Sequence, residues 1–274
     1  EIFKKGEIKR EVREEKTVAI ELKMPEQLFI APWIGKREEL KRAFIALDKL
    51  NQKEGKVIII EGEHGSGKSR FQEEIKSKAI ENGFEVFFSS SKEEVPYPFY
   101  LFEKIVSQFL KKHKKILMEK GEVILQFFPE IQKEVEREEE FVTIPKIDPK
   151  GEKARLFYSF YSIIKDLCEK KSVVFLFDDL QWADPSSLEL LNHLIYMLCF
   201  SENPLPVLFC LSYVPEEISE ENKNILFKHK SKSEIVVLKP FSLEELQEFV
   251  RSLLYNPEPL PLSFLEILLN HTGG

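Results

Sequence analysis

The sequence predicts an α/β fold built on a parallel, doubly wound sheet, and three observations carry that prediction. Short apolar runs recur along the chain as "KVIIIEG", "FEVFFSS", "SVVFLFDD", "LPVLFCLSY" and "EIVVLKP". A run without polar alternation marks a strand covered on both faces. Amphipathic stretches separate most of these runs, and strands that alternate with helices build parallel sheets. The third observation is a glycine-rich segment, "GEHGSGKS", placed between the first run and the helix that follows it.

The elements follow in order. Residues 1–29 are charge-rich, with one short alternating patch, "TVAIEL", and read as a linker or the edge of an upstream domain. "MPEQLFIAPW" is an extended connector. "GKREELKRAFIALDKLNQ" then places Leu40, Phe44, Leu47 and Leu50 on one helical face. A helix from about Lys68 to Asn82 ends at Gly83 as a left-handed cap. Two helical stretches are expected near 97–117 and 121–138, then a loop, "FVTIPKIDPKG", broken by two prolines. The helix from Glu152 to Lys171 buries Leu156, Phe160, Ile163, Ile164 and Leu167. After Pro240 only helix is legible, in "SLEELQEFVRSLL" and "LSFLEILLN".

Composition narrows the class. A chain of 274 residues with 43% hydrophobic content buries one large core, or one core and a small appendage. A net charge of −7 argues against a broad nucleic-acid footprint, which needs a basic face. Cys168, Cys199 and Cys210 lie far apart in apolar settings and read as buried, reduced core residues of a cytoplasmic protein. The longest apolar run, Leu194 to Phe200, is too short to span a bilayer, so no membrane partner is expected. The chain starts at Glu1 without a methionine and stops at "HTGG", which suggests a piece of a longer protein.

"GEHGSGKS", Gly62 to Ser69, fits the phosphate-loop pattern G-x-x-x-x-G-K-[ST]. Chance produces such a match in about one chain in a hundred of this length. Here it also sits between a buried strand and a helix, where its mechanism requires it. Glycines let successive backbone N–H groups turn inward as an anion nest at a helix N-terminus. Gly62, Glu63, His64, Gly65, Ser66, Gly67, Lys68, Ser69 and Arg70 are therefore the candidate phosphate-binding residues. Lys68 would reach the β- and γ-phosphates, and the Ser69 hydroxyl would bind Mg²⁺. His64 occupies a variable position and reads as a solvent-facing imidazole.

Such a loop needs an acidic partner strand, and "SVVFLFDDLQWADPSSLELL" supplies Asp178 and Asp179 at a strand's carboxyl end. Doubly wound sheets place their ligands at that end. Asp178 is assigned to the Mg²⁺ shell and Asp179 to polarising the attacking water. The alternative is a strand-end turn stabilised by its own Asp side chains. Asp184 followed by Pro185 reads as a plain helix N-cap with proline at the first helical position.

Taken together, "GEHGSGKSRF", "FDDLQWADPSSLELL", "SYVPEE", "LKPFSLEELQEFV" and the terminal "HTGG" resemble the signal-transduction (STAND) ATPases of the AAA+ kind. The likeness is to the ATPase modules attached to bacterial adenylyl cyclases, protein kinases and transcriptional regulators. It covers roughly residues 30 to 274, and "PWIGKREEL" resembles the motif that opens such modules. The resemblance implies an ATPase core over 30–240 with a helical insertion at about 96–150, and the start of a helical C-terminal lid over 241–274. It implies ATP or ADP and Mg²⁺ as ligands, Lys68 and Asp179 as catalytic residues, and Ser69 and Asp178 at the metal. It also implies that Trp33, Ile34 and Gly35 border the adenine; the alternative for Trp33 is an aromatic covering the rim of the core.

Three departures stand out. Lys36 and Arg37 replace the family's Arg-Glu pair, Gln181 stands where His is usual, and Val214 stands where relatives place an arginine beside the nucleotide. A missing cation at the γ-phosphate predicts slow hydrolysis. The expected function is an ATP-binding switch that turns over slowly and controls an effector domain outside this piece, with nucleotide-dependent self-association as a further possibility. The rivals are a nucleotide-binding scaffold without turnover and a DNA-loading or initiator-type ATPase, the latter disfavoured by the acidic balance.

Overall fold

The computed structural model describes residues 33–93, 97–136, 148–254 and 259–272. The 1–29 segment and nearly all of the "MPEQLFIAPW" connector lie outside these residues, as does most of the "FVTIPKIDPKG" loop.

All five predicted strands are present: β1 (Lys56–Glu61), β2 (Glu85–Ser90), β3 (Val173–Asp178), β4 (Val207–Tyr213) and β5 (Glu234–Val237). They form one parallel sheet in the order β2-β3-β4-β1-β5. The pleat sorts their side chains by period two. Val57, Ile59, Phe87, Phe175, Phe177, Phe209 and Leu211 face one side. Ile58, Ile60, Val174, Leu176, Leu208 and Cys210 face the other. Helices α1 (Arg37–Asp48) and α2 (Lys68–Glu81) cover the second face. The first face carries α3 (Tyr100–Lys120), α4 (Glu122–Phe127), α5 (Pro129–Glu136), α6 (Pro149–Lys170) and α7 (Pro185–Ile195). The chain continues through α8 (Glu220–Leu226) to β5, then α9 (Leu243–Leu254) and α10 (Leu262–Thr272).

The helices differ from the sequence expectation in instructive ways. The stretch expected as one helix at 121–138 is two, α4 and α5, broken at Phe128 with φ −125 and ψ 77. Pro129 follows, and a residue before proline is pushed out of the helical region. Helix α3 runs to Lys120 and kinks at His113. Helix α6 starts at Pro149, three residues before the expected Glu152, because the Asp148 side chain caps it by accepting from the Lys150 and Gly151 amides. In α1, Ala43, Ala46 and Leu47 carry the buried face, Phe44 is only half-buried, and Leu50 belongs to a following 3₁₀ turn.

The predicted core of α6 is buried as expected, and Gly83 after α2 is left-handed at φ 76. The three cysteines are free and buried. Burial pushes the Cys168 thiol up to about 12 and raises Cys199 and Cys210 as well, so all three are neutral packing residues. Among the described residues no helix is long and apolar enough to cross a membrane.

Asp184 is the N-cap that the sequence suggests. It accepts from the Ser187 amide at 2.9 Å and also from the Phe99 amide at 3.1 Å, tying α7 to the start of α3. Asp184→Ala is expected to lower unfolding free energy by about 1–2 kcal/mol, read from the midpoint shift in denaturant at unchanged slope.

Candidate functional site

The site is built where β1, β4 and β3 end side by side. Because β4 lies between β1 and β3, the loop after β1 and the acidic end of β3 flank one central strand. Hydrophobic burial of the three strands thus fixes the spacing of the polar groups at their carboxyl ends.

The glycine loop leaves β1 at the buried Gly62. A Cβ there would stand 2.4 Å from Ser66 Oγ and 2.7 Å from the Leu238 carbonyl oxygen, so the tight turn excludes any side chain. Gly65 and Gly67 have φ 77 and 90. Gly67 is the N-cap of α2 and brings no capping side chain, so the first amides of that helix have no side-chain acceptor. Glu63 and His64 are exposed on the loop. Lys68 folds back under it: its Nζ donates to the carbonyls of Gly62 at 2.9 Å and Glu63 at 2.8 Å. Burial lowers its pKa, an effect opposed by the charges of Asp179 and Asp178 and then of Glu217 and Glu216. The ammonium is therefore held inside an acidic ring by carbonyl oxygens, which phosphate oxygens can replace.

The two predicted carboxylates have separate surroundings. Asp178 is buried and accepts from Ser69 Oγ at 2.7 Å, from the Ser212 hydroxyl of β4, and from the Asp179 amide at 3.2 Å. Asp179 is left-handed, φ 57 and ψ 41. Its carboxylate accepts from Ser90 Oγ at the end of β2 at 3.4 Å and from Gln181 Nε2 at 3.3 Å. Gln181 is buried, and its Oε1 accepts from the Val214 amide at 3.1 Å. Its amide thus joins the strand-end carboxylate to the exit of β4. Val214 itself is only 3% exposed, so an arginine substituted there would start from a buried position.

The remaining predicted residues divide. Arg70 points along α2, its Nη2 2.5 Å from Glu74. His64 is exposed as expected, but its Nε2 lies 2.5 Å from Glu217 Oε1, joining the loop to the segment after β4. Two buried polar atoms here have no partner among the described residues, Ser66 Oγ and Glu217 Oε2. Trp33 packs edge-on to Phe71 of α2, 5.6 Å between ring centroids, on the rim of the α1–α2 core, and its buried indole N–H has no partner among the described residues. Ile34 is buried. Gly35 lies against Glu245 of α9, whose two carboxylate oxygens are each 3.1 Å from Lys36 Nζ. The departure at Lys36 is therefore a clamp between the opening motif and the helix after the sheet.

Ser212, Ser90 and Glu217 were missed in the sequence. Ser212 had a signal: it is the only small hydroxyl residue inside "VLFCLSY", and a small polar residue at the carboxyl end of a central strand points to a ligand-facing role. Glu217 closes the quoted "SYVPEE" segment, but only the fold brings it to His64, and Ser90 gave no signal of its contact with Asp179.

A phosphate-binding loop and an acidic strand end separated by one strand define a P-loop NTPase core. A family profile described as AAA ATPase domain matches residues 32–209. The chain belongs to that AAA ATPase domain family. Among solved structures it is similar to the ORC2 protein of Aeropyrum pernix, in ADPNP-ADP complexes, at TM-score 0.52 and 14% identity over 84% of this chain and 55% of that one. It is also similar to Cdc6p from Pyrobaculum aerophilum, at TM-score 0.50 and 10% identity over 84% of this chain and 53% of that one. At such identities the likeness is one of fold, and this chain spans about half the length of either. A comparison with curated protein sequences gave no match.

Proposed function

We propose that this chain is a STAND-type, Mg²⁺-dependent ATP-binding switch that hydrolyses ATP slowly and controls an effector domain outside residues 1–274. The observation that carries the proposal is the meeting of Lys68, Ser69, Asp178 and Ser212 at the ends of β1, β3 and β4. The donor set suits a magnesium nucleotide. Among the described residues no group of three or more His, Cys, Asp or Glu forms a metal cage. One hydroxyl and one carboxylate suit a hard cation that keeps waters and takes its other ligands from phosphate. Ser69 and Asp178 would hold the Mg²⁺, which neutralises charge on the phosphates when bound.

In this reading the loop amides from Gly65 to Ser69 bind phosphate oxygens, and Lys68 exchanges its carbonyl partners for them. Trp33, Ile34 and Gly35 border the adenine. Asp179 orients the attacking water and takes its proton, positioned from either side by Ser90 and Gln181. With an apolar Val214 in place of the relatives' arginine, turnover by the isolated chain is expected below about 1 s⁻¹, the low end of ordinary enzyme rates. The cytoplasm and self-association driven by nucleotide belong to the same reading.

Lys68→Ala tests it. A lost charge-assisted contact costs about 1.5–3 kcal/mol, so ATP affinity should fall at least about tenfold by calorimetric titration. Equal affinities would reject a working phosphate loop. ATP binding without phosphate release at saturation would instead favour the non-hydrolysing scaffold. The fold shared with ORC2 and Cdc6p supports a second reading, an initiator-type ATPase. Duplex-DNA affinity that falls steeply with salt would favour it, against the −7 net charge.

A further inference from the structure

The outer edge of β2 is the feature the nucleotide site does not use. β2 ends the sheet, and along its unpaired side runs a groove of about 630 Å³. Helix α2 forms one wall with Lys76 and Ile80, helix α3 the other with Gln108 and Lys112, and Lys170 and Lys171 close the end after α6. Phe84, Val86 and Leu167 supply apolar surface within it, and Ile80 is 57% exposed beside it.

The strand's outward backbone groups are held by side chains. Gln108 Nε2 donates to the Phe88 carbonyl at 2.7 Å while its Oε1 accepts from the Phe88 amide at 3.2 Å. A neighbouring strand would pair with Phe88 through the same two points. Two residues earlier, Lys112 Nζ donates to the Val86 carbonyl at 2.9 Å. These bonds recur at the strand's period of two, so side chains of α3 occupy the positions of a missing strand.

The charge of the groove is opposite to that of the molecule. It is lined by Lys76, Lys112, Lys170 and Lys171 in a chain of net charge −7. Its one acid, Glu85, is occupied by His113 Nε2 at 2.6 Å. Lys76 is already paired with Glu73, both of whose carboxylate oxygens lie 3.1 Å from its Nζ, and Lys112 spends its ammonium on a carbonyl, while Lys170 and Lys171 have no carboxylate partner among the described residues.

We propose that this groove docks an extended acidic segment of a partner protein, which adds to β2 as a further strand. Its backbone takes over the Phe88 and Val86 groups, displacing the Gln108 amide and the Lys112 ammonium. Lys112 then joins Lys170 and Lys171 in pairing with the segment's carboxylates, while the segment's apolar residues turn to the other wall and cover Ile80 and Phe84. The backbone exchange is nearly even in hydrogen bonds, so charge and apolar cover drive it.

The test uses the full chain and a fluorescent, end-blocked peptide of about eight residues alternating glutamate and valine. Anisotropy should show saturable binding that weakens with salt. Lys170→Glu with Lys171→Glu should weaken it at least about tenfold, as two attractive pairs become repulsive. Should that variant fail to fold, Lys171→Glu alone reads the same effect at a smaller amplitude. N-methylation of alternate peptide amides should weaken binding to a similar degree, and Gln108→Ala should tighten it by removing the competing side chain. Absence of binding, equal binding of a lysine-for-glutamate peptide, or indifference to the charge reversal overturns the proposal. Equal binding of the N-methylated peptide, or full competition by millimolar inorganic phosphate, assigns the groove to anions alone and overturns strand addition. Affinity that Gln108→Ala leaves unchanged or reduces does the same.

Discussion

Asp179→Asn is expected to keep ATP bound while single-turnover hydrolysis falls by about 10²–10⁴, the usual contribution of a positioned general base. The variant is a clean one for structural reasons. Asp179 sits in the left-handed region, at φ 57, and asparagine tolerates that conformation better than other residues with a Cβ. Its Oδ1 can still accept from Gln181 Nε2, and its amide can donate to Ser90 Oγ, so both neighbours keep a partner. Only the basicity is removed.

Asp178→Asn makes the contrasting case. That carboxylate accepts from Ser69, Ser212 and the Asp179 amide, and a single amide oxygen cannot take all three. It should reduce the magnesium dependence of nucleotide affinity. Rapid mixing with radiolabelled ATP at several magnesium concentrations checks both. Wild-type hydrolysis in Asp179→Asn would assign the water to another residue.

The difference between these carboxylates marks the limit of what the sequence makes legible. Two adjacent acids at a strand end state that the site is acidic, and the strand before them places it at the sheet's carboxyl edge. Their separate hydrogen bonds depend on the left-handed turn at Asp179 and on β4 entering between β1 and β3, which is long-range topology. Ser212 reaches Asp178 only through that insertion. The five strands were legible because each is an apolar run with turn residues at its ends. The break at Phe128 was legible in principle from Pro129, but helical periodicity on both sides masked it. The clamp from Lys36 to Glu245 joins residues 209 apart in sequence, and no local pattern reveals it.

Phe175→Ala carries the largest expected effect on stability. Phe175 stands in the middle of β3, opposite Phe87 of β2 and Phe209 of β4 in register. The three rings form a ladder across adjacent strands, with centroids 5.3 Å apart on either side of Phe175 and interplanar angles of 20° and 14°. Truncation removes a fully buried aromatic and leaves a cavity that three rigid strands cannot close, which costs about 3–5 kcal/mol. For a chain of this size that lowers the melting temperature by on the order of 10 °C. Tyr158→Ala, at a ring 68% exposed on α6, should stay within about 0.5 kcal/mol of the parent. Paired thermal and denaturant melts check the difference. ATP affinity of the folded Phe175→Ala protein should be nearly unchanged, because Asp178 is fixed by its own hydrogen bonds at the strand's end. A melting temperature equal to that of Tyr158→Ala would mean the ladder relaxes around the gap and does not carry the core.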